Sequence, residues 1–257
     1  MVDSTSVTVA PRLRVIGPGR AGGALALALG RAGWTVAAPL GRGDDVTGAA
    51  QGVDLLVVAS PDAAIAGVTA SVEPDEQTVV AHLSGALGLD VLAPHPRRAA
   101  VHPLMALPDA ETGATRLAAG GWFAVAGEPI APRVVDDLGG RWFRVADDNR
   151  AAYHAAAAIA SNHLVALLGQ VERVAGSIGV PPEAYLDLAR GSLDDVAARG
   201  PAAALTGPVA RGDWDTVRRH LAALDPVERP AYVALAAAAR RLVDADGLPD
   251  DIAGEGE

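Results

Sequence analysis

A doubly wound parallel α/β sheet followed by an all-helical domain is the fold class that this 257-residue sequence predicts. Three observations predict it. A glycine turn near the N-terminus joins a short apolar run to an Ala/Leu-rich helical run. Short apolar runs then alternate with helical stretches to about residue 146. From Asp147 onward the pattern is helical alone.

The glycine turn lies in Leu13-Arg14-Val15-Ile16-Gly17-Pro18-Gly19-Arg20-Ala21-Gly22-Gly23. Gly17, Gly19 and Gly22 fit G-x-G-x-x-G, and each position has its own physical reason. The first permits the tight turn, the second lets a pyrophosphate approach the backbone, and the third lets helix and strand pack closely. The free N–H groups opening the helix, which runs to about Arg31, then face phosphate. The context of strand before and helix after makes this a Rossmann-type dinucleotide site in which Gly17, Pro18, Gly19, Arg20, Ala21 and Gly22 contact the cofactor.

Trp34 to Leu40 reads as the second strand. Where NAD-binding chains often carry Asp or Glu for the ribose, this one has Gly41-Arg42-Gly43. A guanidinium there can pair with a 2′-phosphate, so NADP (NADPH) is favoured over NAD, although Asp44 and Asp45 follow closely. Val53 to Ala59 is a continuous apolar run, as for a strand buried on both faces. It ends in Ala59-Ser60-Pro61-Asp62, on the edge where open sheets bind ligands. Pro61 suits a helix start and Asp62 its first turn, so capping explains Asp62 better than catalysis. Thr78 to Leu83 is the fourth strand and delivers His82, Ser84 and Gly85. A short strand at Ala99 to Val101 delivers His102, and further strands are expected at Trp122 to Ala126 and Trp142 to Val145, with a helix from Pro129 to Leu138 between them.

Residues 12–146 thus form the cofactor domain and 147–245 an all-helical substrate and dimerisation domain, with 1–11 and 246–257 as flexible tails. A long helix is expected from Arg150 to Ile178. At 100° per residue its Ser161 lies about 20° from His154 and Asn162 about 80° away on the other side, so the three share a broad stripe. Another helix runs from Glu183 to about Arg190, then a third piece with Asp194 and Asp195 in its first turn. Ala204 to Asp213 is a non-helical passage, Asp213 caps Trp214 to Leu224, and Pro230 opens a last helix to about Ala245.

Composition narrows the function. The net charge of −10 argues against nucleic acid, whose phosphates need a basic face. The absence of cysteine excludes disulfides and thiolate chemistry. All 21 basic residues are arginine, so no ammonium group is available as an acid or Schiff-base former. No stretch reaches the roughly 18 uninterrupted apolar residues of a membrane span. No His/Asp/Glu set has metal-ligand spacing. Residues Val2 to Pro11 lack the basic start and apolar run of a signal peptide. A cytoplasmic, membrane-free protein is expected.

The glycine motif, the Ser60-Pro61-Asp62 segment and the helical second half resemble a superfamily. It includes 6-phosphogluconate dehydrogenase, the β-hydroxyacid dehydrogenases, ketopantoate reductase, prephenate dehydrogenase and pyrroline-5-carboxylate reductase. More closely, four segments resemble a bacterial family in which a Rossmann-like domain joins a helical domain of unknown function. They are His102-Pro103-Leu104, Tyr153-His154-Ala155-Ala156-Ala157, Ala160-Ser161-Asn162-His163-Leu164 and Leu205 to Asp213. Some of its members are similar to an alternative ketopantoate reductase. The resemblance covers about residues 12–245. It implies a C-terminal domain like that of 6-phosphogluconate dehydrogenase, NADP-dependent reduction of a small oxo compound between the domains, and a homodimer formed through the helical domain. Several such families place a lysine one turn before a helix asparagine to protonate the developing alkoxide. If Asn162 matches that asparagine, Ala158 stands at the lysine position, and the mechanism does not carry over unchanged.

Without lysine, histidine is the natural proton donor, because its pKa near 6.5 permits exchange at neutral pH. His102 is the leading candidate, at the end of a sheet strand on the ligand side; otherwise it is a loop histidine bonded to backbone. His154 is its rival, or a polar residue of a dimer interface. Asn162 can fix the substrate carbonyl or hydroxyl. Ser84 can bind a substrate carboxylate or simply form a turn. Ser161 on the polar stripe, and Arg211 with Thr206 in the Gly/Pro/Asp passage, are further substrate candidates, although such passages commonly just join helices. His82, His95 and His220 read as structural. The function expected is reduction of a small oxo acid, with ketopantoate first. Reduction of an imine on the same scaffold, or NADP sensing without catalysis, are the alternatives.

Overall fold

The structure is a computed structural model and describes residues 10–243 and 246–254. Seven strands form one sheet: β1 (Arg12–Ile16), β2 (Thr35–Val36), β3 (Leu55–Val58), β4 (Val79–His82), β5 (Arg98–Pro103), β6 (Trp122–Gly127) and β7 (Arg141–Arg144). Their order is β2-β1-β3-β4-β5-β6-β7. Helices α1 (Arg20–Arg31), α2 (Asp62–Ala70), α3 (Ala110–Ala118) and α4 (Ile130–Asp137) accompany them. The strand runs are apolar on both sides because both faces are covered. Leu13, Val15, Leu55, Val57, Val79 and Ala81 pack with α1, α3 and α4 in one layer. Ile16, Leu56, Val58 and Val80 pack with Ile65 of α2 in the other.

Three sheet expectations change. Strands β1 to β5 are mutually parallel, but β6 runs antiparallel to β5 and carries β7 with it. Between β5 and β6 lies a helix that the sequence reading did not identify, and its placement goes with the reversal. Helix α3 is pinned onto α1, where a Cβ on Gly113 would stand 2.7 Å from Ala24 Cβ and one on Gly23 3.1 Å from Ala110 Cβ. The chain then returns to the point it left, with Leu104 N–H donating to Trp122 O at 2.9 Å, as in a hairpin with a helix in its loop. The added partner lengthens β5 to Pro103, so His102 sits within the strand opposite Ala124 rather than just beyond it. Strand β2 is shorter than Trp34 to Leu40, because Pro39 has no N–H for the ladder; Leu40 regains β1 through a single bridge to Ile16.

After β7 the chain is helical: α5 (Arg150–Ala158), a π-helical stretch (Ile159–His163), α6 (Leu164–Ser177), α7 (Glu183–Arg199), α8 (Pro201–Ala204), α9 (Pro208–Arg211), α10 (Trp214–Ala223), α11 (Arg229–Leu242) and α12 (Asp250–Ala253). The chain divides into two compact units, up to Ser161 and from Asn162 onward, so the division lies inside the π-helical stretch rather than at Asp147. Arg150, Tyr153 and His154 therefore belong to the sheet unit. The continuous helix Asp147–Ser177 is long and apolar enough, by length and composition alone, to cross a membrane. Its first turns instead carry Arg150 and Tyr153, whose side chains bond to sheet-edge residues.

Three expectations in the helical unit are corrected. Glu183 to Arg199 is one helix, because a single Gly191 costs only about 1 kcal/mol against alanine and does not end it. The Ala204 to Asp213 passage contains the short helix α9. Residues 246–254 are not frayed: Ile252 is buried in a small core with Val217, Leu221 and Val233, and Asp251 pairs with Arg218 at 2.7 Å. The remainder of the expected tails, 1–9 and 255–257, lies outside the described residues. Asp213 caps α10 as expected, accepting from Thr216 N–H at 3.2 Å.

Candidate active site

The carboxyl ends of β1, β3, β4 and β5 share one edge of the sheet, and the expected sheet-unit site residues gather there. The three motif glycines meet three different constraints. Gly17 has φ +90°, and a Cβ there would lie 2.9 Å from Ala59 O. A Cβ on Gly22 would lie 2.3 Å from Gly17 O and 2.8 Å from Ala59 Cβ, so only glycine lets α1 close against β3. At Gly19 nothing lies within 4 Å of the Cβ position. Gly19 is also the N-cap of α1, and no side chain caps that end. Beside Gly17, where a Cβ would lie 3.2 Å from Ser60 N, Ser60 Oγ is sealed from solvent without a hydrogen-bond partner. An open cradle, an uncapped helix N-terminus and an orphaned hydroxyl fit the phosphates of a dinucleotide.

Gly17 N–H donates to Leu40 O at 2.8 Å, which holds the second-strand segment, and Arg42 two residues on, next to the glycine loop. The Arg42 guanidinium is exposed and makes no hydrogen bond or ion pair among the described residues. The neighbouring carboxylates are engaged within their turn: Asp44 accepts from Gly41 N–H at 2.7 Å and Asp45 from Thr47 N–H at 2.9 Å.

Ser84 is occupied by its own loop. Its hydroxyl donates to Asp62 at 2.7 Å and accepts from Ala86 N–H and Leu87 N–H at 3.1 and 3.2 Å. With the proton given to Asp62 and both lone pairs used, it has no free donor for a carboxylate; the turn-forming reading of this residue is the one the geometry matches. Asp62, in the first turn of α2, thereby ties the ends of β3 and β4 together. His82 is fully buried, its Nδ1 accepting from Ser84 N–H at 3.2 Å, so Nε2–H donates to Gly88 O at 3.2 Å. His95 is buried against Thr69 O, and His220 Nδ1 meets the Tyr232 hydroxyl at 2.8 Å.

His102 is half-buried, and its Nδ1 lies 2.5 Å from the Tyr153 hydroxyl. The His154 ring stands edge-on to it, with centroids 6.2 Å apart. Both rings lie over Gly85, where a Cβ would come within 2.9 Å of His102 Cε1 and Nε2 and of His154 Cδ2. A side chain at Gly85 would therefore displace both rings, so this glycine serves a polar cluster rather than a phosphate loop. Burial first, then the charges of His154 and Arg150, pushes His102 down to about 4. Burial pushes Tyr153 up to about 12, with Arg150 pulling the other way. Sequence reasoning missed Tyr153 and Arg150 as site residues. The motif segment starting at Tyr153 was a signal for the first; nothing local marks the second.

The π-helical stretch shifts the angles between His154, Ser161 and Asn162, because each residue in it turns through less than 100°. Ser161 donates its hydroxyl to Ala157 O at 2.8 Å. Asn162 and Arg211 belong to the helical unit, Arg211 exposed at the end of α9.

Residues 43–108 match the family description of a Rossmann-like domain, and residues 124–239 match a domain of unknown function (DUF2520). The chain joins a Rossmann-like domain to a DUF2520 domain. No curated protein sequence matches it. Among solved structures it resembles the "putative NADP oxidoreductase BF3122" from Bacteroides fragilis, at 17% identity and TM-score 0.69, over 90% of this chain and 98% of that one. It also resembles protein TM1727 from Thermotoga maritima, at 23% identity and TM-score 0.68 over the same shares. A third is the reductive aminase from Aspergillus terreus in complex with NADPH and ethyl levulinate, at 16% identity and TM-score 0.58, over 92% of this chain and 88% of that one. At these identities the likeness is one of fold.

Proposed function

We propose that this protein is an NADP-dependent reductase of a small oxo acid, with ketopantoate the first substrate to test. The observation that carries the proposal is the open cradle at Gly19 on the same sheet edge as His102. Gly17 to Gly22 and Ala59 to Asp62 hold the dinucleotide, and Arg42 selects the 2′-phosphate. When bound, the reduced nicotinamide supplies a hydride. The chain supplies the proton and the anchoring. A neutral imidazole at His102 donates a hydrogen bond to the substrate oxygen, with the His154 ring beside it; Asn162 and Arg211 are the substrate anchors to test. The Aspergillus terreus enzyme of like fold is described with NADPH, which supports the choice of cofactor.

Fluorescence titration with NADPH and NADH tests the cofactor half. NADPH is expected to bind at least about tenfold more tightly, and Arg42→Ala to remove that preference, a difference of about 1.4 kcal/mol. A screen of oxo acids then tests the chemistry, with turnover expected to fall in His102→Ala and Asn162→Ala. Turnover of a cyclic imine alone moves the assignment to the imine reading. Tight binding without any turnover favours a nucleotide sensor.

A homodimer through the helical unit belongs to the same proposal. Helices α6 and α7 and the turn between them leave Val165, Ile178, Leu188 and Leu193 exposed by 53–70%. These exposed apolar side chains support that reading. Sedimentation is expected to give a dimer, and Leu188→Glu a monomer.

A further inference from the structure

We propose that Tyr153 and His102 form a two-step proton relay, with Tyr153 the proton source and the buried guanidinium of Arg150 its counter-charge. The relay rests on the reductase reading and deepens it by naming how a chain without lysine delivers its proton.

The relay requires one direction of the Tyr153–His102 bond. Among the described residues, the Tyr153 hydroxyl makes no hydrogen bond except the one to Nδ1. In the relay the hydroxyl proton lies toward Nδ1, which accepts it, and the proton of the neutral imidazole sits on Nε2. Nε2 has no hydrogen-bond partner among the described residues, is not sealed from solvent, and is left uncovered because Gly85 has no side chain. The tyrosine ring is held on both sides, edge-on to His102 at 5.5 Å and to Phe143 of β7 at 5.8 Å between centroids. The relay is thus positioned before any ligand arrives.

Arg150 lies one turn before Tyr153 on α5 and is only 1% exposed. Its Nη1 reaches Ser84 O at 3.5 Å and its Nε stands 3.7 Å from Asp147, while Nε and Nη2 make no hydrogen bond. A buried cation so weakly compensated stabilises negative charge nearby, as does the N-terminal end of the helix that carries it. Burial disfavours a phenolate at Tyr153, and both of these offset that cost. The charged and titratable groups facing His102 are His154, Arg150, Asp62 and His82, and those facing Tyr153 are Arg150 and His102.

The substrate carbonyl carbon takes a hydride from a reduced nicotinamide, leaving an alkoxide oxygen. The Nε2–H bond of His102 breaks as its proton passes to that oxygen, and the O–H bond of Tyr153 breaks as its proton passes to Nδ1. The imidazole stays neutral and changes tautomer, and the phenolate is reprotonated from solvent. An alkoxide is a stronger base than a phenolate, so the transfer runs downhill without an imidazolium or an ammonium.

The test begins on the unliganded protein. Nitrogen-15 NMR of wild type at neutral pH is expected to show His102 as the Nε2–H tautomer, and Tyr153→Phe, which keeps the ring packing, to lose that preference. An Nδ1–H tautomer in wild type, or no change in Tyr153→Phe, overturns the relay. Ultraviolet phenolate titration is expected to show Tyr153 ionising at higher pH in Arg150→Gln than in wild type or Arg150→Lys; equal titration in all three overturns the counter-charge. With NADPH and the fastest oxo acid of the screen, Tyr153→Phe is expected to lose about 100-fold in kcat with KM little changed, and an unchanged kcat overturns the relay alone. A wild type that binds no NADPH, or turns over no substrate, instead overturns the reductase reading on which the relay rests.

Discussion

Replacing Gly19 with aspartate should stabilise the unliganded protein slightly while abolishing nucleotide binding, and Gly22→Ala should do the reverse to stability. Gly19 is the N-cap of α1, has φ −77°, and faces open space, so a side chain there meets neither strain nor a clash. Aspartate is among the preferred N-cap residues and gains a few tenths of a kcal/mol over glycine. Its carboxylate then occupies the N–H groups that the phosphates need and repels them, with a loss of at least about 100-fold in NADPH affinity, or about 3 kcal/mol. At Gly22 the added methyl falls 2.3 Å from a backbone oxygen and cannot be relieved by a side-chain rotation. Overpacking of this kind costs about 3 kcal/mol. Thermal melts and NADPH titrations on both variants check the pair. If Gly19→Asp binds NADPH as wild type does, the cradle is not the phosphate site.

Acidification should unfold the sheet unit through His102. The ordinary histidine value is 6.5, and burial pushes His102 down to about 4, so the unfolded chain takes up the proton first as pH falls. The stabilisation is complete above about pH 6.5 and is lost as pH falls toward 4; the difference amounts to roughly 3 kcal/mol. Burial moves His82 in the same direction and adds to the loss. Denaturant unfolding at neutral pH and near pH 4.5 measures it, and Trp34, Trp122 and Trp142 report on this unit. His102→Asn should reduce the pH dependence while leaving the loss due to His82. An identical dependence in that variant would show that His102 titrates normally in the folded state.

Much of the cofactor cradle is legible in the residues themselves, since a glycine that must adopt φ +90° or admit a helix against a strand is marked by its spacing. The buried strands are equally legible as continuous apolar runs, and Asp213 as a cap for α10. The chemical cluster is less so. Tyr153 bonds to His102 across 51 residues, and no periodicity relates them. Ser84 looks like a free hydroxyl in sequence because Asp62, which takes its proton, lies 22 residues away.

The sequence by itself determined the order of elements, the glycine loop, the arginine that follows the second-strand segment and the absence of any lysine or cysteine chemistry. These depend on the conformational freedom and chemistry of residues within a few positions of one another. Only the tertiary structure decided the reversal of β6 and β7, the folding of residues 246–254 onto α10, the π-helical stretch at Ile159–His163 and the burial of Arg150 beside a tyrosine–histidine pair. Each of these arises where distant segments meet, and the free energy of such a meeting resides in burial and hydrogen-bond geometry that no local pattern of residues records.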